Sequence, residues 1–184
     1  MSTPAATLIP TGTYAVDPSH SRVEFAVKHL GIATVKGHFG TFEGTFVADE
    51  DLAASKAYGT VEVASVNTSE SQRDDHLRSA DFFDAEHFPQ IAFESTTIRP
   101  TGDQEFEIDG NLTIHGVTNS ITLEVEVQGT EDDPWGNQRV GLEVTGQLKR
   151  GDYGMTFNQA LGSGNMLVSD KVKLTLDISA VRQA

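Results

Sequence analysis

The run EFEIDGNLTIHGVTNSITLEVEV, residues 105–127, decides the fold class. Phe106, Ile108, Gly110, Leu112 and Ile114 fall on one side of an extended chain, and Glu105, Glu107 and Asp109 fall on the other. A period of two marks a strand with one dry and one wet face. His115-Gly116 turns the chain, and Ile121, Leu123, Val125 and Val127 then alternate with Thr122, Glu124 and Glu126. Two such runs about a two-residue turn predict an antiparallel hairpin.

The same period extends in both directions. Downstream, residues 132–137 make a loop, and Val140, Leu142, Val144, Gly146 and Leu148 form the next strand. Residues 149–166 read as a Gly-rich irregular loop before a last strand with Val172, Leu174, Leu176 and Ile178 on its dry face. Upstream, Ile91, Phe93, Ser95 and Thr97 oppose Ala92, Glu94, Thr96 and Ile98, and Val61 and Val63 alternate with Thr60 and Glu62. Val23, Phe25 and Val27 form another dry face. Val35, Gly37 and Phe39 are odd-numbered, whereas Phe42, Gly44 and Phe46 are even-numbered, which predicts a bulge near Gly40 or Thr41. About eight main strands result. Period alone admits either a barrel or a sandwich, but long strands such as 104–115 and 138–148 suit an up-and-down barrel, which at eight strands can hold one small ligand.

Residues 70–88 break the pattern. Ser69 with Gln72 resembles a capping box for a helix near 70–79, and Asp81 or Asp84 is placed to cap a second turn ending before Pro89. The expected arrangement is one barrel over residues 13–182, a flexible lead over 1–12, and this helical excursion at the barrel mouth.

The chain has 184 residues, a formal net charge of −14 and no cysteine. Such a field repels nucleic acid and anionic membranes. Thiolate metal sites and disulfides are excluded. No apolar run is long enough to span a membrane, and the N-terminus lacks a signal-peptide pattern, so a cytoplasmic location is expected.

The excursion gathers Arg73, His76 and Arg78, whose side chains suit a phosphate or polar head group. Pairing with Asp74, Asp75 and Asp81 on a solvated helix is the plainer alternative. His20, His29 and His38 are evenly spaced, but they lie on different strands or at strand ends and make no recognisable metal motif. No metal ligands and no catalytic residues are assigned: there is no GxSxG elbow. An enzyme using His76 with Asp74 or Asp75, or a heme or metal protein, is the rival class. From the pattern alone the dry faces suit a filled hydrophobic core better than an open lumen lined by the same residues.

A resemblance bears on that choice. Tyr14-Ala-Val-Asp17-Pro-Ser-His20, Val23-Glu-Phe25 and Val35-Lys-Gly37-His-Phe39 resemble the opening of the YceI-like family. Arg73-Asp-Asp-His76-Leu-Arg78-Ser79-x-Asp81-Phe-Phe-Asp84, Gly110-Asn-Leu112-Thr-Ile-His115-Gly116-Val-Thr118 and Lys149-Arg-Gly-Asp152-Tyr-Gly154-Met155 resemble its further motifs. Tyr14 stands where the family often has Trp, and Asn119 where a basic residue often follows. The resemblance implies an all-β, eight-stranded antiparallel, lipocalin-like barrel. It also implies a non-enzymatic protein that binds or carries an isoprenoid lipid, such as a prenyl pyrophosphate or an isoprenoid quinone, in its lumen, and a possible homodimer. No cofactor is expected beyond such a lipid or quinone. The expected tunnel lining is Val23, Phe25, Val27, Val35, Phe39, Phe42, Phe93, Phe106, Ile108, Leu112, Ile114, Leu123 and Val125, with Arg73, His76 and Arg78 as head-group candidates.

Overall fold

The computed structural model describes residues 9–159 and 166–184. The hairpin at its centre forms as the alternation requires: β8 (Glu105–Ile114) pairs with β9 (Val117–Asp132). His115 and Gly116 both have positive φ, 56° and 74°. This is the signature of the type I′ turn, whose twist matches that of the flanking strands.

The other strands are β1 (Gly12–Val16), β2 (Arg22–His29), β3 (Ala33–Phe39), β4 (Phe42–Ala48), β5 (Lys56–Glu62), β6 (Val66–Asn67), β7 (Gln90–Pro100), β10 (Gln138–Lys149) and β11 (Val168–Arg182). All pairings are antiparallel, in the order β1-β4-β5-β7-β8-β9-β10-β11-β2-β3-β6, and β1 also pairs with β11. Three wall positions are each built from two short strands. β1 and β2 lie end to end beside β11, β3 and β4 lie beside them, and β5 with β6 comes next. The wall therefore has eight positions and closes on itself as an antiparallel barrel. Closure leaves no long exposed edge.

Three local details differ from the sequence pattern. At Gly40-Thr41 the chain does not bulge within one strand; it breaks between β3 and β4. A bulge occurs instead between Ser95 and Thr97, where Ser95 pairs with Gly110 and Thr97 with Asp109. The extra residue reverses the parity of β7, so Ile98, expected on the wet side, faces inward and is 2% exposed. Val63 leaves the strand for a 3-10 turn and is buried there.

One barrel end is packed solid. Ile9, Tyr14, Leu52, Ile98, Phe106, Val127 and Val140 share a buried cluster. Ile9 is 2% exposed, and Pro10 O accepts a 2.7 Å hydrogen bond from the Tyr14 hydroxyl. The expected flexible lead thus already serves the floor at Ile9 and Pro10; its first eight residues lie outside the described residues, as do 160–165 of the expected 149–166 loop.

The opposite end is covered by α1 (Ser71–Arg78) and the turns that follow it. Glu70, not Ser69, is the N-cap: its carboxylate accepts from Gln72 N and Arg73 N. Ser69 has a φ of 67°. Asp84 Oδ1 lies 2.9 Å from His87 Nδ1, and Asp84 O accepts from Phe88 N. Beneath this cover Phe25, Phe39, Val66, Leu77 and Phe83 pack together, and Tyr153 and Met155 pack with Leu112, Ile114 and Phe83.

Candidate functional site

Between floor and cover the barrel is hollow. The central cavity measures about 230 Å³. Its walls are the inward alternates of nearly every strand. Val23, Phe39, Phe42, Phe93, Ile108, Leu112, Ile114, Leu123 and Val125, all expected there, line it. Several of these apolar residues, with Val61, Ile91, Leu174 and Leu176, stay only partly buried although they point inward. In a filled core such side chains would meet one another and be fully buried.

The cavity is apolar, offering water almost no hydrogen-bond partners, and such cavities stay dry. At about 24 cal/mol per Å³, an empty volume of about 230 Å³ costs on the order of 5 kcal/mol. That is comparable to the whole stability of a marginal domain. An apolar ligand that fills the space offsets this cost.

Four expected lining residues stand elsewhere. Phe106 is 1% exposed in the floor, its ring 6.0 Å from that of Phe46. Phe25 turns into the cover, 5.5 Å from the Phe39 ring. Val27 and Val35 pair with each other one step beyond Phe25, past the cavity's end. The lining that sequence reasoning missed includes Phe46 of β4, Val61 of β5 and, from β10 and β11, Leu142, Val144, Leu148, Leu174, Leu176, Ile178 and Ala180. Their alternation was visible. What would have placed them is closure, since in a closed barrel every strand has an inner face.

No residue of 71–89 lines the cavity, so the excursion is a cover and not a rim of the cavity. Arg73 donates from Nε to Thr68 Oγ1 (2.7 Å) and from Nη2 to Thr68 O (2.7 Å). Arg78 donates to Ala64 O (3.0 Å), Val66 O (3.1 Å) and Asp75 Oδ1 (3.0 Å). Both guanidinium groups staple α1 to the segment around β6. Asp74 is buried and accepts from Thr68 N and Oγ1. His76 therefore pairs with neither Asp74 nor Asp75; its Nε2 lies 2.8 Å from Asp81 Oδ2. The His76 ring sits edge-on to Phe82 and Phe157, each 5.0 Å away.

Arg150, 5% exposed, stacks 5.8 Å from the Phe82 centroid and donates to Met155 O, Ser169 O and Val168 O. Burial pulls its pKa down from the ordinary arginine value. His115 Nδ1 lies 3.0 Å from Tyr153 O, and Asn119 Nδ2 donates to Asp152 O at 2.8 Å. Excursion, β8–β9 turn and 150–155 turn thus lock together over the barrel end. Burial also pushes the phenols of Tyr14 and Tyr153 upward.

Among the described residues no three His, Asp or Glu side chains gather in a set that could hold a metal ion. His20 Nδ1 lies 2.7 Å from Asp17 Oδ2, and His38 Nδ1 lies 3.2 Å from Arg22 Nη2. No described helix is long and apolar enough to cross a membrane.

The YceI-like domain model matches residues 14–180. The chain belongs to the YceI-like family. Protein YceI of Salmonella arizonae is 40% identical over 187 residues, covering 97% of this chain and 94% of the relative. Among solved structures, BcnA of Burkholderia cenocepacia superposes with a TM-score of 0.76 at 25% identity, covering 89% of this chain and 98% of that one. A polyisoprenoid binding domain from Saccharophagus degradans, implicated in plant cell wall breakdown, superposes at 0.70 with 16% identity, over 92% and 98% of the two chains. The YceI-like motifs at 73–84 and 149–155 fall in the cover and the turn locked to it, whereas the 110–118 motif joins that cover to the cavity wall, which its Leu112 and Ile114 line.

Proposed function

We propose that this YceI-like protein is a non-enzymatic carrier or sequestering protein for a long-chain isoprenoid lipid, held in the barrel lumen. The observation that carries the reading is the hollow itself: a dry, apolar space framed by inward strand residues that remain partly uncovered. Burying a hydrocarbon chain there gains about 25 cal/mol per Å² removed from water. An isoprenoid, branched, apolar and flexible, matches walls of Val, Leu, Ile and Phe. The structural neighbour from S. degradans is a polyisoprenoid binding domain, which points to the same ligand class. At about 230 Å³ the space is below the roughly 300–1,000 Å³ of sites that enclose a drug-sized ligand. A long chain must therefore part the lining side chains or leave one end outside.

An enzymatic role for the 73–78 segment has less support, because Asp74, Asp75, Arg73 and Arg78 already bond within the fold and none faces the cavity. Organic extraction of the purified protein followed by mass spectrometry tests the reading. A prenyl species recovered near one per chain is expected. Clean extracts after incubation with saturating lipid refute it.

A further inference from the structure

The barrel wall is unzipped in one place. The β1–β4 ladder ends at Ala15 opposite Thr45, and the β2–β3 ladder resumes at Val23 opposite Phe39. Residues 16–22 and 40–44 lie opposite each other between these pairs, with no ladder joining them. Each edge of this seam is tied away from the other. On one side Asp17 N donates to Ser179 O (2.8 Å), Ser179 N to Ser21 Oγ (3.0 Å), and Arg139 Nη1 to Asp17 Oδ2 (2.9 Å). On the other, Gly40 N donates to Ser65 O (3.2 Å) and Glu62 N to Thr41 O (2.9 Å). Several backbone groups at the gap are thus bonded to the strands behind them and not across it.

Two spaces meet at this seam. The lumen reaches it from inside. From outside, a groove of about 1140 Å³ crosses the wet faces of β4, β5, β7 and β8. Nine residues line both spaces: Val16, Phe42, Glu43, Gly44 and Thr45 at or beside the seam, and four more on β5 and β7. Gly44 also pairs with Gly59, and at the gap it is the Val16 side chain that covers Gly44. The two barrel ends, in contrast, are plugged by the floor cluster and by the stapled cover.

The rim of the groove has a definite chemistry. Tyr58, Thr60, Asn111 and Thr113 offer hydroxyl and amide groups, and Glu43 and Glu94 stand exposed among them. Among the described residues no Lys, Arg or His lines it. A diphosphate there would meet two carboxylates and no cation, on a chain of net charge −14. A hydroxyl or quinone carbonyl would meet donors and pay no charge penalty.

The geometry points to the seam as the portal of the lumen, with Glu43 and Glu94 selecting isoprenoids that carry an uncharged head group, an alcohol or a quinone, against a diphosphate. The inference rests on the carrier reading: the tail lies inside and the head in the outer groove.

Two measurements on the full chain test it. In the first, a prenyl alcohol and the prenyl diphosphate of equal chain length are titrated separately. The alcohol should bind at least tenfold tighter, and the double substitution Glu43→Lys/Glu94→Lys should narrow or reverse that ratio. Equal affinities, or a ratio the substitution leaves unchanged, overturn the selection. If neither lipid binds, the carrier reading falls and the portal with it; only the ratio between the two lipids is specific to this inference. In the second, Pro18→Cys/Glu43→Cys places thiols on opposite edges of the seam in a chain with no other cysteine. Bridging them with a short bifunctional maleimide should slow alcohol uptake at least tenfold relative to a monofunctional reagent, and bridging after loading should slow release. Uptake at the same rate in bridged and unbridged protein would show that the ligand enters elsewhere.

Discussion

Ala57→Leu should stabilise the ligand-free protein and weaken its hold on lipid. Ala57 points inward from β5 opposite Phe46 and lines the cavity. The substitution adds three carbons to an apolar space that no side chain fills. At about 0.8 kcal/mol per buried CH₂, filling it without strain gains roughly 2 kcal/mol. For a chain of this size that corresponds to a rise in Tm of about 4–8 °C. The same carbons occupy volume the ligand needs. Lipid at a hundred times its Kd stabilises the native protein by about 2.7 kcal/mol, and the variant should lose most of that shift. Urea unfolding with and without a saturating prenyl alcohol measures both effects. If the interior is instead filled, the substitution overpacks it, and stability falls by about 1–3 kcal/mol. A fall of that size, with the lipid-induced shift intact, would refute the hollow-lumen argument.

Other perturbations probe the wall, the cover and the seam. Val125→Arg places an unpaired charge where Val125 is 2% exposed, and should cost about 3–5 kcal/mol or abolish lipid uptake; unchanged unfolding and unchanged binding would mean that the inward face is misassigned. Arg78→Met leaves the carbonyls of Ala64 and Val66 without their donor and should cost about 1–3 kcal/mol, with faster amide exchange confined to residues 66–89 and strands β8–β10 unaffected. Hydrogen bonds from Ser19, Arg139 and His20 hold the Asp17 carboxyl well below the ordinary carboxylate range. A depressed folded-state pKa contributes stability above the unfolded value of about 3.9 and loses it as pH falls toward the folded value. Urea midpoints measured from pH 6 down to pH 2 should therefore drop more steeply for the native protein than for Asp17→Asn, and parallel curves would remove Asp17 as the cause.

Much of the wall was legible from residue order. The alternation in 105–127 fixed a strand pair, its turn and its inner face together, because a one-residue slip would have buried Glu107 and Glu124. The bulge at Ser95–Thr97 was not legible, since an extra residue inserted in a run of Ser and Thr leaves no change of hydropathy to read. Nor was the task of Arg73 and Arg78. Their carbonyl acceptors at residues 64, 66 and 68 come from the main chain, which every sequence supplies. The parity change at Gly40-Thr41 predicts a bulge when only residue order is considered. Only the pairing of its two flanks with different partners reveals a seam. Whether the cylinder is hollow is a question of volume, to which a pattern of apolar letters gives no answer.

β11 runs beside both β1 and β2, and Gln183 N donates to Thr13 O. The first strand and the last complete the same seal. Without β11 the sheet order leaves β10 and the β1/β2 position as unpaired edges, and a folding intermediate that lacks it keeps the apolar inner face open. Such an intermediate is a natural client for a holdase, and slowing translation before residue 168 should lengthen its exposure.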